Sequence, residues 1–311
     1  MSDIASRGKD SVLLINQSTI TEADGVDLVS ESMVNSHETY EGDADSLHGG
    51  RQRDGEDAIV VAEKPSGSFS YRPRYTELSE LLELALGGGS DTAWIPLETG
   101  DLDTFNIEVQ HSDALAESYA GCVVNELVLR SEQNSPLVAM VTLLAASAAI
   151  EDAPQTPTYA GVGGVAPIMH NDLVITGDAG ITGLKPFNFQ LGIKNNLEED
   201  GFANSINRQF MDAEGFDCDL EMEVKLTLEL GTYLNTWNTT SPKPMLEIVA
   251  TYSSGDLSMV ITFQGILSSD PPKIENAGRQ KYTMQFSGRA IWGGSPRAIT
   301  SHMVSIAIVD A

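Results

Sequence analysis

Apolar residues recur at every second position through much of this chain. Leu220, Met222, Val224, Leu226, Leu228 and Leu230 alternate with Asp219, Glu221, Glu223, Lys225, Thr227 and Glu229. Successive side chains of a strand point to opposite faces, so this run predicts one apolar and one charged face over residues 219–230. Phe187, Phe189, Leu191 and Ile193 repeat the pattern, as do Phe105, Ile107 and Val109. Further strands are predicted at 67–75, 123–130, 138–144, 245–252, 257–267, 282–291 and 303–309. Turn-forming clusters such as Ser253-Ser254-Gly255-Asp256 and Asp270-Pro271-Pro272 separate them.

The period changes to that of a helix at Leu78, Leu81, Leu82 and Ala85, with Gly87 as the stop. Thr76, Glu77 and Glu80 supply a capped, acidic first turn. A shorter helix is predicted at 232–237. Each helix follows a strand, and this echo predicts an internal duplication. Gly67 and Gly215 lie 148 residues apart; Phe105-Asn106-Ile107-Glu108-Val109 matches Leu246-Glu247-Ile248-Val249 at 141. A competing spacing of 82 pairs Phe105-Asn106-Ile107 with Phe187-Asn188-Phe189 but leaves the first hundred residues without a partner. The longer spacing makes units of domain size. The expected fold is mainly β: two tandem β-sandwich or barrel domains, each with a short helix, over 1–152 and 168–311. A Pro-, Gly- and Ala-rich linker over 153–167 joins them.

Composition then narrows the class. The 311 residues carry 45 acidic and 18 basic side chains, a net charge of −27, yet 41% are hydrophobic, too many for a largely disordered acidic chain. Residues 1–155 hold 28 acidic and 8 basic side chains, and the remainder 17 and 10. The stretch 36–57, rich in Gly, Asp and Glu, reads as a long acidic loop or arm whose cations are Arg51 and Arg53. Clustered Lys and Arg, which a DNA-gripping surface needs, are missing. No run reaches the roughly 18 apolar residues of a membrane span, and the first residues do not read as a secretory signal. Cys122 and Cys218 read as small buried thiols of a protein made in a reducing compartment.

Candidate chemistry is sparse. The chain has no His-Glu-x-x-His, P-loop or Gly-x-Ser-x-Gly motif, and its glycine runs at 87–89 and 161–164 lack the setting of a nucleotide loop. Five scattered histidines and two isolated cysteines give no zinc spacing. Residues 212–219 fail the calcium-loop pattern, because the glycine is misplaced and no Glu closes it. No catalytic, cofactor-binding or metal residue is assigned, and no cofactor is expected. A solvated strand face is the plain reading of Glu221, Glu223 and Glu229; a wall that must repel something is the pointed one.

An ordered series of segments resembles the major tail tube proteins of long-tailed bacteriophages, from Met33 to the C-terminus. It comprises Gly67-Ser68-Phe69-Ser70-Tyr71 with the helix that follows, then Tyr119-Ala120-Gly121-Cys122-Val123-Val124-Asn125-Glu126-Leu127-Val128-Leu129, then Phe187-Asn188-Phe189-Gln190-Leu191-Gly192-Ile193-Lys194-Asn195-Asn196. The resemblance implies a structural virion protein, not an enzyme. Such subunits form rings whose inner sheets join into a barrel, and the rings stack into a tube through which DNA passes without specific binding. Two tube domains per chain imply three chains per ring, and one would imply six. Partners implied are further copies of itself, a tape-measure protein and tail-end proteins. On this reading Glu221, Glu223 and Glu229 are candidates for the channel wall. Glu38, Tyr40, Leu47, Arg51 and Arg53 are candidates for an arm that reaches the next ring. Another virion β-protein of the head or baseplate, or a β-rich enzyme or carbohydrate-binding module, is the alternative.

Overall fold

The computed structural model describes residues 12–20, 25–41, 58–90, 93–112, 115–151, 167–177, 181–202, 205–241, 245–269, 281–293 and 298–310. The chain is mainly β, as the alternation requires. Its backbone is one long antiparallel sheet. From one edge run β3 (Leu28–Glu31) and β4 (Val34–Glu41), both paired to β5 (Ala58–Tyr71). Next come β10 (Val138–Leu144) and the second part of β9 (Leu115–Glu132). Then follow β13 (Asn188–Lys194), β14 (Asp217–Lys225), β17 (Lys281–Gly288) and the end of β16 (Leu257–Leu267). Counting β3 and β4 as one interrupted strand, eight strands lie side by side.

One face of this sheet is apolar. Phe69, Tyr71, Leu127, Leu129, Val141, Leu143, Phe189, Leu191, Ile193, Leu220, Met222, Val224, Met284 and Phe286 are all buried and belong to one core cluster that spans both halves of the chain. Each such side chain stabilises the fold by about 1.5–3 kcal/mol relative to exposure. Two smaller sheets cover that face. The first is β2 (Gly25–Val26), β1 (Val12–Asn16), β8 (Phe105–Ser112), the first part of β9 and β11 (Ser147–Glu151). The second is β12 (Leu173–Gly177), β15 (Leu246–Ser254), the first part of β16, β20 (Val304–Asp310), β7 (Ala93–Pro96) and β6 (Gly87–Ser90). Strand β9 passes from layer to layer at Gly121, whose φ of 61° lies in the left-handed region that favours glycine. A separate two-stranded ribbon pairs β18 (Ile291–Gly293) with β19 (Ala298–Ser301).

The same strand order occurs twice. Strands β1, β3–β4, β5, β8, β9, β10 and β11 have the neighbours that β12, β13, β14, β15, β16, β17 and β20 have. Helices α1 (Tyr75–Leu86) and α2 (Leu228–Thr239) follow β5 and β14 and start 153 residues apart. Irregularities repeat too. The β4–β5 hairpin slips register after Glu38, and its counterpart slips between Lys194, which faces Asp217, and Leu197, which faces Ala213.

Several expectations need correction. The alternation at 219–230 does not continue as a strand: β14 ends at Lys225 and α2 begins at Leu228, so Glu229 is helical. Leu226, Leu230, Leu234 and Trp237 are buried, and a spacing of four fits both periods. Thr227 caps this helix, its Oγ1 accepting from the Leu230 N–H at 3.2 Å. Helix α1 starts at Tyr75, one residue before Thr76, because buried Tyr75 anchors the first turn and Glu77 accepts from the Arg74 N–H. Gly67 does not correspond to Gly215. By the helix spacing it corresponds to Leu220, and it is glycine because a Cβ there would meet Ser32 O at 2.5 Å and Met33 Cα at 2.7 Å. Residues 36–41 are strand rather than loop. The rest of the arm, 42–57, and the linker over 153–166 lie outside the described residues. No helix among the described residues is long and apolar enough to cross a membrane.

Candidate functional site: a polar sheet face and its edges

The long sheet's second face is built from the intervening positions of the same strands. Strand β14 contributes Asp217, Asp219, Glu221, Glu223 and Lys225, and β13 contributes Gln190 and Lys194. From β9 come Glu126, Arg130 and Glu132, from β17 Lys281, Thr283 and Gln285, and from the β4–β5 hairpin Glu38 and Lys64. Register places them side by side: Gln190 lies opposite both Arg130 and Glu221, and Glu221 opposite Gln285.

The charges on this face are arranged in pairs. Lys194 reaches Glu126 at 3.4 Å, Lys281 reaches Glu223 at 3.0 Å, Lys64 reaches Glu38 at 3.3 Å, and Arg130 pairs with Glu132. Exposed pairs of this kind add little stability, about 0–1 kcal/mol each. Their effect is to occupy four of the five cations named above, all but Lys225. Among the described residues Asp217 and Glu221 have no cationic partner: Asp217 accepts from Asn196 at 3.0 Å, and Glu221 accepts from Gln285 at 2.8 Å. The face is therefore hydrophilic, modestly negative and poor in free positive charge.

One end of the face is closed by the connection between β13 and β14. Leu197 and Met211 pack with Val123, Leu144 and Leu102 in a small second cluster. Arg208 is buried there. Its Nε donates to Glu199 O at 3.0 Å, and its Nη1 donates to Pro65 O at 3.1 Å and Ala145 O at 2.8 Å. Burial lowers its pKa below the usual guanidinium value. Phe202 stacks beside it at 5.5 Å, and Lys64 pairs with Asp200 at 3.0 Å. This loop of the second half is pinned onto the hairpin base of the first.

The two halves also meet through a buried polar chain. Tyr252 OH and Ser131 Oγ are 2.8 Å apart, Ser131 Oγ and His170 Nδ1 are 2.8 Å apart, and His170 Nε2 lies 2.8 Å from Pro186 O. Pro186 O can only accept, so Nε2 carries a proton; in the neutral ring Nδ1 then accepts from Ser131, and Ser131 accepts from Tyr252. Burial raises the Tyr252 pKa, which keeps its donor in place.

The predicted site residues are thus separated. Glu221 and Glu223 lie together on the polar face, half-buried and hydrogen-bonded or paired. Glu229 belongs to α2. Glu38 and Tyr40 are on β4; Leu47, Arg51 and Arg53 fall outside the described residues. The sequence does not mark Lys194, Glu126 or Arg208 as site residues: the first two stand out only as members of the segments that resemble the tail tube family, and Arg208 is a lone cation in a polar stretch.

Among the described residues, then, the chain is a mainly β protein built on an extended sheet with one hydrophilic face. A family profile described as phage tail tube protein matches residues 9–290. The chain belongs to the phage tail tube protein family, whose members are structural components of the virion tail. No curated relative matches it.

Proposed function

We propose that this chain is the repeating subunit of the tail tube and that three copies close one ring around the channel through which DNA leaves the virion. The observation that carries the reading is the duplicated strand order within a single open sheet. Each half, 1–152 and 168–311, supplies one tube-type unit of four adjacent strands, joined through 153–167. Three copies of an eight-stranded sheet make twenty-four strands. With strands about 4.8 Å apart and tilted about 40°, such a barrel has a circumference on the order of 150 Å and a diameter of about 48 Å. Side chains projecting inward leave room for a DNA duplex.

The polar face is the channel wall in this arrangement, because the apolar face is already covered by the two smaller sheets. Its charge pattern suits sliding. A lysine held by a carboxylate has to break that pair to neutralise a phosphate, and the surplus carboxylates repel DNA within a screening length of about 8 Å. Closing the sheet also removes strand edges that would otherwise pair with other chains. The β4–β5 hairpin, which carries Glu38 and Tyr40, is the part of the chain proposed to reach the neighbouring ring; Leu47, Arg51 and Arg53, the other candidates for that contact, lie outside the described residues. Tape-measure and tail-end proteins are the expected partners inside and at the end of the tube.

Negative-stain electron microscopy of the purified protein across concentration and salt tests the reading. Hollow tubes or stacked rings with a central channel are expected. A compact, concentration-independent oligomer that never forms rings, even with tail-end proteins added, would overturn it.

A further inference from the structure

We infer that the outer edge of β3–β4 is where a second copy of this chain adds its β16 end, in the register that β13 takes on β9. The inference rests on the ring reading above and specifies the partner strand and the residues that meet.

The template is the seam inside the chain. Strand β13 pairs antiparallel with β9 from Asn188 opposite Glu132 to Lys194 opposite Glu126. The Asn195 N–H then donates to Asn125 O at 2.8 Å. The buried Asn195 side chain donates to Ala85 O and Val124 O, each at 2.9 Å, tying β13 to the end of α1 and to β9. In the first half, the place of β13 is taken by β3–β4. One edge of that strand pairs with β5; among the described residues no strand pairs along its other edge, where the Met33 N–H donates to its neighbour Glu31 Oε2 at 3.1 Å. Val29 and Val34 are exposed on it. In the second half, the place of β9 is taken by β16. Its inner side is filled by β17, and among the described residues no backbone hydrogen bond is made on the outer side of Ser268 and Ser269. The chain therefore ends in two edges that are counterparts of the two strands already paired in its middle.

Register follows from shared landmarks. Lys64 and Asp217 are equivalent by the 153-residue helix spacing, and they face Ser36 and Lys194, so Ser36 stands where Lys194 stands. Leu143 faces Gly67 and Val124, while Phe286 faces Leu220 and Leu267, so Leu267 stands where Val124 stands. The bulge recurs there as well: β9 slips between the partners of Thr142 and Leu143, and the Ser268 and Ser269 N–H groups both turn to Gln285 O, at 2.8 and 3.4 Å. Ser269 therefore occupies the place of Glu126. The internal pair Lys194–Glu126 becomes Ser36 of one copy opposite Ser269 of the next, and Asn195 against Asn125 becomes His37 against Ser268. The inter-copy seam thus replaces a charged pair by two small hydroxyls, as befits a junction that forms between separate chains.

The pair is suited to cross-linking. Asn195 donates to Asn125, so the adjacent 194–126 position is a non-hydrogen-bonded pair, with Cα atoms about 4.5 Å apart, within the range a disulfide spans. Cys122 and Cys218 are buried and contribute no background. The test mixes full-length Ser36→Cys with full-length Ser269→Cys, and separately uses the double variant, each assembled, mildly oxidised and run on a non-reducing gel. The mixture is expected to shift from one chain to two, and the double variant to a ladder ending at three. A Ser30→Cys/Ser269→Cys control, six residues out of register, is expected to stay at one. Rings by microscopy without the 36–269 cross-link, or with equal cross-linking in the control, would overturn the register and leave the tube reading standing. Absence of rings or tubes from the unmodified protein would instead remove the reading on which this inference rests.

Discussion

The β13–β14 connection and the β4–β5 hairpin hold equivalent places in the two halves, with the same register slip, yet their surroundings differ. Strand β13 is paired on both sides, and its connection is pinned by Arg208 to carbonyls of Glu199, Pro65 and Ala145. Strand β4 is paired on one side only among the described residues. The difference teaches that one position of the repeat is used inside the chain; on the reading proposed above, its counterpart at the sheet edge is left for a second copy, with Ser36 and Ser269 in place of the Lys194–Glu126 pair.

The largest expected effect comes from removing the pin. Arg208→Ala leaves the buried Ala145 O without this donor and unties Glu199 O, while Pro65 O keeps the Ala145 N–H, and should destabilise the chain by about 2–3 kcal/mol in denaturant titration. Lys64→Ala, which removes an exposed partner of Asp200, should cost under about 1 kcal/mol. Similar losses from both would mean that the connection is held by its surface and not by Arg208. The contact between halves is the next target. Ser131→Ala interrupts the chain from Tyr252 to His170 and should cost about 1–3 kcal/mol, with Tyr252→Phe adding less than its separate cost in a double-mutant cycle. Full additivity would break the account of one continuous polar chain.

A third prediction concerns the polar face. Glu221→Lys with Glu223→Lys should leave assembly intact and slow DNA ejection, more so at low salt. Glu126→Gln with Glu223→Gln, which frees Lys194 and Lys281 without adding cations, should slow it less. Ejection timed on reconstituted particles checks both, and unchanged kinetics in the first variant would remove Glu221 and Glu223 from the channel wall. The smallest effect is at the cysteines. Burial raises the pKa of Cys122 and Cys218, one in each half, so both should resist thiol reagents in the folded protein at pH 8 and react together on unfolding. A raised folded pKa contributes stability that is present below about pH 8.5, the unfolded thiol value, and is lost as pH rises above it. Faster labelling of Cys218 alone would show that the second half opens independently.

Much of this fold is legible in the sequence because a two-sided sheet writes its pattern directly. Leu220, Met222 and Val224 face the core, and Glu221 and Glu223 do not, as alternation requires. The reading fails where two periods coincide, at Leu226 and Leu230, and there a helix replaces the expected strand end. It also fails where glycine serves different needs: Gly67 admits the close approach of Met33, while Gly215 lies just before β14 with only the Asn196 side chain near its missing Cβ. Of the candidate site, the negative residues of β14 could be seen and their cationic partners could not. Glu223 and its partner Lys281 are 58 positions apart, and only the β14–β17 register brings them together. Arg208 binds one carbonyl of its own connection, Glu199 O, and two from distant segments, Pro65 O and Ala145 O, an arrangement for which no local signal exists.

The most direct test is a reconstruction of the assembled tube by electron cryomicroscopy, at a resolution that shows side chains. The account predicts three chains per ring, twenty-four strands around the channel, and Glu221 and Glu223 facing its interior. Six chains per ring, or a channel lined by some other surface with Glu221 and Glu223 turned away, would contradict it.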